Sequence, residues 1–112
     1  MRVTSELFVS ALVRRVFFSG GFAAVERRGA PEAGAIFIRQ RFRDGLETLY
    51  GPAPQSFFGE GEDDRRFEAR AERKAAADCD AIIAREVRFD PDLWVVELEA
   101  DDLAGLFLVA GA

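Results

Sequence analysis

The chain predicts one α+β domain: a two-layer sandwich with two helices packed on one face of a mainly antiparallel sheet of about four to five strands. Three observations carry this prediction. Apolar residues recur at helical spacing over 5–18, two alternating strands flank a tight turn within 33–54, and a second helical stripe near 78–90 runs into a strand at 93–99. The predicted order is helix, three strands, an optional fourth strand, helix, strand.

In the first helix Phe8, Val9, Leu12, Val13, Val16 and Phe17 recur at three- and four-residue steps, opposite Glu6, Ser10 and Arg14. Thr4 or Ser5 suits the N-cap, Arg14 and Arg15 suit the last turns, and Gly20-Gly21 stops the helix. Phe22 to Arg28 alternates weakly and reads as the first strand, and the segment Gly29 to Gly34 reverses the chain.

The stretch from Ala33 to Pro54 is a β-hairpin whose register follows from its side chains. A two-residue turn at Asp44-Gly45 would set Phe42 against Glu47 and Gln40 against Leu49, mixing polar with apolar. A three-residue loop, Arg43-Asp44-Gly45 with Gly45 left-handed, instead pairs Phe42 with Leu46, Ile38 with Tyr50 and Arg41 with Glu47. One face then carries Ile36, Ile38, Phe42, Leu46 and Tyr50, with Gln40 and Thr48, and is the expected core. The other, with Phe37, Arg39, Arg41, Glu47 and Leu49, is half polar and expected to meet water near the turn.

Gly51-Pro52-Ala53-Pro54 ends the hairpin, and 55–64 reads as an acidic, Gly-rich loop onto whose core side Phe57 and Phe58 tuck. Arg66 to Arg70 is the optional strand. Asp78 or Asp80 is the expected cap of the second helix, whose stripe is Cys79, Ile82, Ile83 and Val87. Pro91 ends that helix and turns the chain into Leu93–Glu99, where Trp94, Val96 and Leu98 form the expected buried face. Leu106 to Val109 is a short return strand or a cover for the core, and 110–112 is expected to fray.

Composition narrows the function. A chain of 112 residues with 49% hydrophobic residues and eleven Phe suits a single folded domain, 1–112. It contains no His, which removes the commonest general base, the commonest zinc ligand and every Ser-His or Cys-His dyad. The single cysteine, Cys79, sits between Asp78 and Asp80, which disfavour a thiolate. The carboxylates of 60–64 lack the oxygen spacing of a calcium loop, and no glycine-rich phosphate loop opens a helix, so neither metal nor cofactor is expected. No segment reaches the length of a membrane span, and Glu6 and Arg14-Arg15 break up any leader-like apolar run, so a cytoplasmic protein is expected.

The net charge of −5 is unevenly spread. Residues 1–45 hold eight Arg against four acids, and 46–112 hold seven basic against sixteen acidic residues, so the halves attract each other. Nucleic-acid binding would need Arg14, Arg15, Arg27, Arg28, Arg39, Arg41 and Arg43 on one surface, against an overall charge of the wrong sign. The candidate site residues are Arg27, Arg28, Asp90, Asp92 and Trp94. The two carboxylates could divide acid and base roles opposite the arginines, while the plainer reading makes the aspartates turn formers around Pro91 and Trp94 a core residue.

Arg27-Arg28-Gly29, Ala33-Gly34-Ala35, Tyr50-Gly51-Pro52-Ala53-Pro54-Gln55 and above all Phe89-Asp90-Pro91-Asp92-Leu93-Trp94-Val95-Val96-Glu97 resemble segments of an alphaproteobacterial family, domain of unknown function 1491. The resemblance extends over most of the chain, including Val9 to Arg15. It implies no activity, cofactor or catalytic residue. The function expected is therefore a small protein-interaction or regulatory module, without catalysis, that recognises a protein partner or itself. A small-ligand binder or enzyme using Asp90 and Asp92 with Arg27 and Arg28 is the first alternative, and nucleic-acid binding the second.

Overall fold

The structure, a computed structural model, describes residues 3–54 and 65–111 of the 112-residue chain. The loop expected at 55–64, with Phe57 and Phe58, lies outside the described residues. Helix α1 spans Ser5–Phe18, with the Thr4 side chain accepting a hydrogen bond from the Leu7 N–H at 3.2 Å. Gly20, at φ +90°, takes the left-handed conformation that ends it. Strand β1 follows at Phe22–Arg27.

The hairpin consists of β2, Ile36–Arg41, and β3, Glu47–Pro52. Ile38 lies opposite Tyr50 and Arg41 opposite Glu47, Phe42 N–H donates to the Leu46 carbonyl at 3.0 Å, and Gly45 has φ +88°. This is the register in which like pairs with like and charges find counter-charges.

Strand β4 runs from Arg66 to Lys74, longer than expected, because its Ala, Glu, Arg and Lys residues pair with β3 as far as Lys74. A bulge there puts Arg73 at φ 47°, with its N–H donating to Thr48 Oγ1 at 3.1 Å. Helix α2, Ala76–Phe89, starts before the expected caps: Ala75 holds the N-cap position with no side-chain bond, Asp78 falls in the first turn, and Asp80 reaches Arg39 instead. Strand β5 is Trp94–Glu99, and β6 is the two-residue Leu108–Val109. Ala110, expected to be frayed, donates its N–H to the Phe67 carbonyl at 2.7 Å.

The α+β class and the element order follow the sequence, but the sheet is mixed and has six strands, in the order β1-β5-β2-β3-β4-β6. β5 inserts between β1 and β2, antiparallel to the first and parallel to the second. A second correction concerns the layers. Val9, Leu12 and Val16 of α1 pack on Ile36, Ile38, Trp94, Val96 and Leu98, whereas Cys79, Ile82, Ile83 and Val87 of α2 pack on Phe37, Leu49, Leu93 and Val95. Neighbouring residues of one strand point to opposite faces, so the helices cover opposite faces of the sheet. The β2–β5 centre is apolar on both sides, the pattern of a sheet buried on both faces.

Candidate functional site

Two places on the molecule gather polar and apolar side chains beyond what the central core requires. The first is where β1 leaves the sheet and β5 enters it, and it contains every predicted site residue. Trp94 is 1% exposed, and its indole N–H donates to the Ala30 carbonyl at 2.8 Å. The Ala30 N–H donates to the Asp92 carbonyl at 2.9 Å, and the Trp94 N–H to the Ala35 carbonyl at 2.7 Å. The backbone comes this close because Gly29 and Gly34 have no side chain: a Cβ on either would stand 2.2 or 2.3 Å from the Asp92 carbonyl oxygen. Ser5 Oγ closes the arrangement, donating to the Gly34 carbonyl at 2.6 Å from inside α1.

Arg28 lies over the Trp94 ring, 5.2 Å from its centroid, and pairs with Glu6. Arg27 donates to the Pro91 carbonyl at 2.8 Å. Asp90 Oδ1 accepts the Asp92 N–H at 3.1 Å, the turn geometry expected around Pro91. The five residues are thus brought together, but through contacts that fix the backbone. A groove of about 560 Å³ beside them is lined by Leu7, Ser10, Val13, Val25, Arg28 and Trp94, and neither Asp90 nor Asp92 reaches it.

The second place lies beneath the N-terminus of α2. Arg39 is 3% exposed, and its Nε donates to Glu47 Oε1 at 2.8 Å. Its Nη1 meets Glu26 at 3.0 Å and Asp80 at 2.8 Å. Arg41 adds contacts to Glu47 at 3.1 Å and Glu97 at 3.0 Å. Burial opposes the Arg39 charge, but hydrogen bonds with Glu47 and Asp80 and the charges of Glu26 and Glu47 outweigh it and hold its pKa above the ordinary guanidinium value. The face expected to meet water near the turn carries an ion network whose centre, Arg39 and Glu47, is buried, while Arg41 and Asp80 at its rim stay partly exposed. The predicted pairing of Arg41 with Glu47 pointed to it, but the burial of Arg39 depends on α2 lying on that face.

Beside this network an open cleft of about 1030 Å³ lies at the carboxyl ends of β2 and β5, with Arg41 and Arg43 among its walls together with Glu99, Asp101 and Asp102. Among the described residues no three potential metal ligands cluster. Of the arginines that nucleic-acid binding would need, Arg39 is buried and Arg15, Arg27, Arg28 and Arg41 are bound to carbonyls or carboxylates, so they do not form one free cationic surface. Among the described residues no helix is long and apolar enough to cross a membrane.

The outer edge of β1 stands out for a different reason. It pairs with β5 alone, so its other backbone edge has no strand beside it among the described residues. Phe22 and Val25 are exposed on β1, and Leu7, Phe17 and Phe18 on the neighbouring helix, Phe18 to 85%.

The family described as "Protein of unknown function (DUF1491)" matches residues 3–108. The chain belongs to the DUF1491 family. The solution structure of an A. tumefaciens protein is 55% identical to it, with a TM-score of 0.89, covering 100% of this chain and 98% of that one. A DUF1491 family protein from Caulobacter crescentus is similar in two structures. Its crystal structure is 31% identical with a TM-score of 0.79, covering 99% of this chain and 100% of that one. Its NMR structure is 32% identical with a TM-score of 0.78, covering 99% of each chain. None of the curated proteins matches the chain. In this DUF1491 domain, three of the segments that carry the resemblance, at Gly29, at Gly34 and at Asp90 to Trp94, meet in the backbone contact under Arg28.

Proposed function

We propose that this DUF1491 domain works without catalysis, as a small module that binds another protein chain along β1. The observation that carries this reading is the outer edge of β1, which has no strand beside it among the described residues and is flanked by exposed Leu7, Phe17, Phe18, Phe22 and Val25. An open strand edge offers a row of backbone donors and acceptors, and apolar side chains beside it add the burial that makes strand addition stable. The groove of about 560 Å³ between α1 and Val25 lies where side chains of an added strand would sit. The ligand-binding alternative is less well supported, because Arg27 and Arg28 bond to the Pro91 carbonyl and to Glu6, and neither aspartate lines the groove beside them.

The test compares wild-type protein with Val25→Lys, both tagged and captured from the native cells. Val25 is exposed at the edge, so the substitution leaves the core intact while placing a charge where an added strand would lie. A partner recovered with wild type and lost with the variant supports the reading. Identical recoveries from both proteins contradict it.

A further inference from the structure

We infer that α2 is a detachable cover: it leaves the sheet and unwinds while α1 and the sheet stay folded, uncovering Cys79 and an apolar strip of Phe37, Leu49, Leu93 and Val95. The two fourteen-residue helices are held unequally. α1 buries Ser5, Val9, Leu12 and Val16, whereas α2 buries Cys79 alone, its Ile82, Ile83 and Val87 being partly buried and its Phe89 84% exposed. Removal of apolar surface from water is what docks a short helix, so α2 has the weaker hold.

What lies beneath the helices differs too. α1 rests on Ile36, Ile38, Trp94, Val96 and Leu98, all apolar, whereas the first turns of α2 rest on the charged Arg39 and Glu47. Detaching α2 takes the Asp80 carboxylate and the Ala76 carbonyl away from Arg39, but Glu47 and Glu26 stay beside it on the sheet, at 2.6 and 3.0 Å. No charge is left alone. Water returns to a pair whose burial costs desolvation, and this offsets part of the apolar contact given up. The N-terminal end of α2 adds little, since Ala75 makes no side-chain capping bond and Asp80 is 64% exposed. The core under α1, with Trp94 in it, shares no buried side chain with the cluster under α2 and therefore persists when α2 leaves.

Labelling of Cys79 tests this. The full chain is treated with an aromatic disulfide reagent in a urea series below the unfolding transition, while Trp94 fluorescence measures global unfolding. The expected labelling is about tenfold or more faster than global unfolding allows, and it rises less steeply with urea, because less surface is exposed. Ile83→Ala weakens the hold on α2 and should speed labelling about tenfold. Val16→Ala weakens the opposite core, so it should lower the urea midpoint yet leave the labelling rate unchanged, the closed and open forms losing the same contacts. Labelling of wild type that follows global unfolding overturns the inference, as does labelling that Val16→Ala speeds as much as Ile83→Ala does. Circular dichroism confirms that each variant is folded, and the wild-type urea series decides alone should either fail that check.

Discussion

Arg39 and Glu47 meet diagonally across the β2–β3 hairpin with less than a twentieth of either side chain exposed, at 4% and 3%, and an oxygen of Glu47 lies 2.6 Å from Arg39 Nη2. Two opposite charges out of water are tolerable only together, since the attraction between them offsets the desolvation of each. Replacing Glu47 by Leu strands the Arg39 charge beneath α2 and is expected to lower stability by about 3–5 kcal/mol. Replacing both, Arg39→Met with Glu47→Leu, should cost much less than the sum of the single changes. Urea denaturation of the four proteins in a double-mutant cycle measures this; additive costs would show that the pair does not act as a unit.

The contact at Gly29 and Gly34 gives a graded prediction. A Cβ at Gly29 would meet the Asp92 carbonyl oxygen at 2.2 Å and Trp94 Cδ1 at 2.6 Å, and the backbone on the far side cannot swing away. Gly29→Ala is expected to cost about 3 kcal/mol, at the upper part of the overpacking range. Gly20→Ala meets nothing within 4 Å and carries only the left-handed strain of φ +90°, about 1 kcal/mol. Thermal unfolding should rank the two variants in that order.

Trp94 is the chain's single tryptophan and reports on this contact directly. Its indole is buried under Arg28 and bonded to the Ala30 carbonyl, so its fluorescence should be blue-shifted and poorly quenched by acrylamide until the protein unfolds. Trp94→Phe leaves the Ala30 carbonyl without that donor and a gap beneath Arg28, and should cost about 2 kcal/mol. Solvent-like emission from the native protein would contradict the packing described.

Cys79 supplies a pH dependence. Burial, then the charge of Glu47, pushes its thiol pKa up, so in alkali the unfolded chain loses this proton before the folded one does. The unfolded state then binds fewer protons, and stability, undiminished below the ordinary thiol pKa, falls as pH rises past it. Tyr50 is also pushed up, by burial and then by Glu72, and adds a fall of the same sign at higher pH. Subtracting the stability curve of Cys79→Ala isolates the thiol. A native-state disulfide reagent should react with Cys79 only as fast as α2 opens.

The sequence alone determined what depends on near neighbours. The boundaries of α1, the loop Arg43-Asp44-Gly45 and the pairing of Ile38 with Tyr50 follow from caps, glycine geometry and the alternation of side chains, each set by residues a few positions apart. The turn at Asp90 to Asp92 was equally legible, and the sequence also suggested that Arg27 and Arg28 lie near Asp90, Asp92 and Trp94. What they do together was not, because the contact depends on Gly29 and Gly34 meeting a backbone about sixty residues away.

Contacts between segments distant in the chain put β5 between β1 and β2, lay α2 on the face opposite α1 and bury Arg39. The physical reason is that a strand's alternation tells which residues share a face but not which neighbour or helix covers that face. Leu93 to Leu98 carries apolar residues on both sides and so requires cover on both, yet its place in the sheet is settled by hydrogen bonds to strands distant in the chain. Once β5 is central, a helix on each face is what buries it, and the charges of Arg39 and Glu47 are enclosed as a consequence.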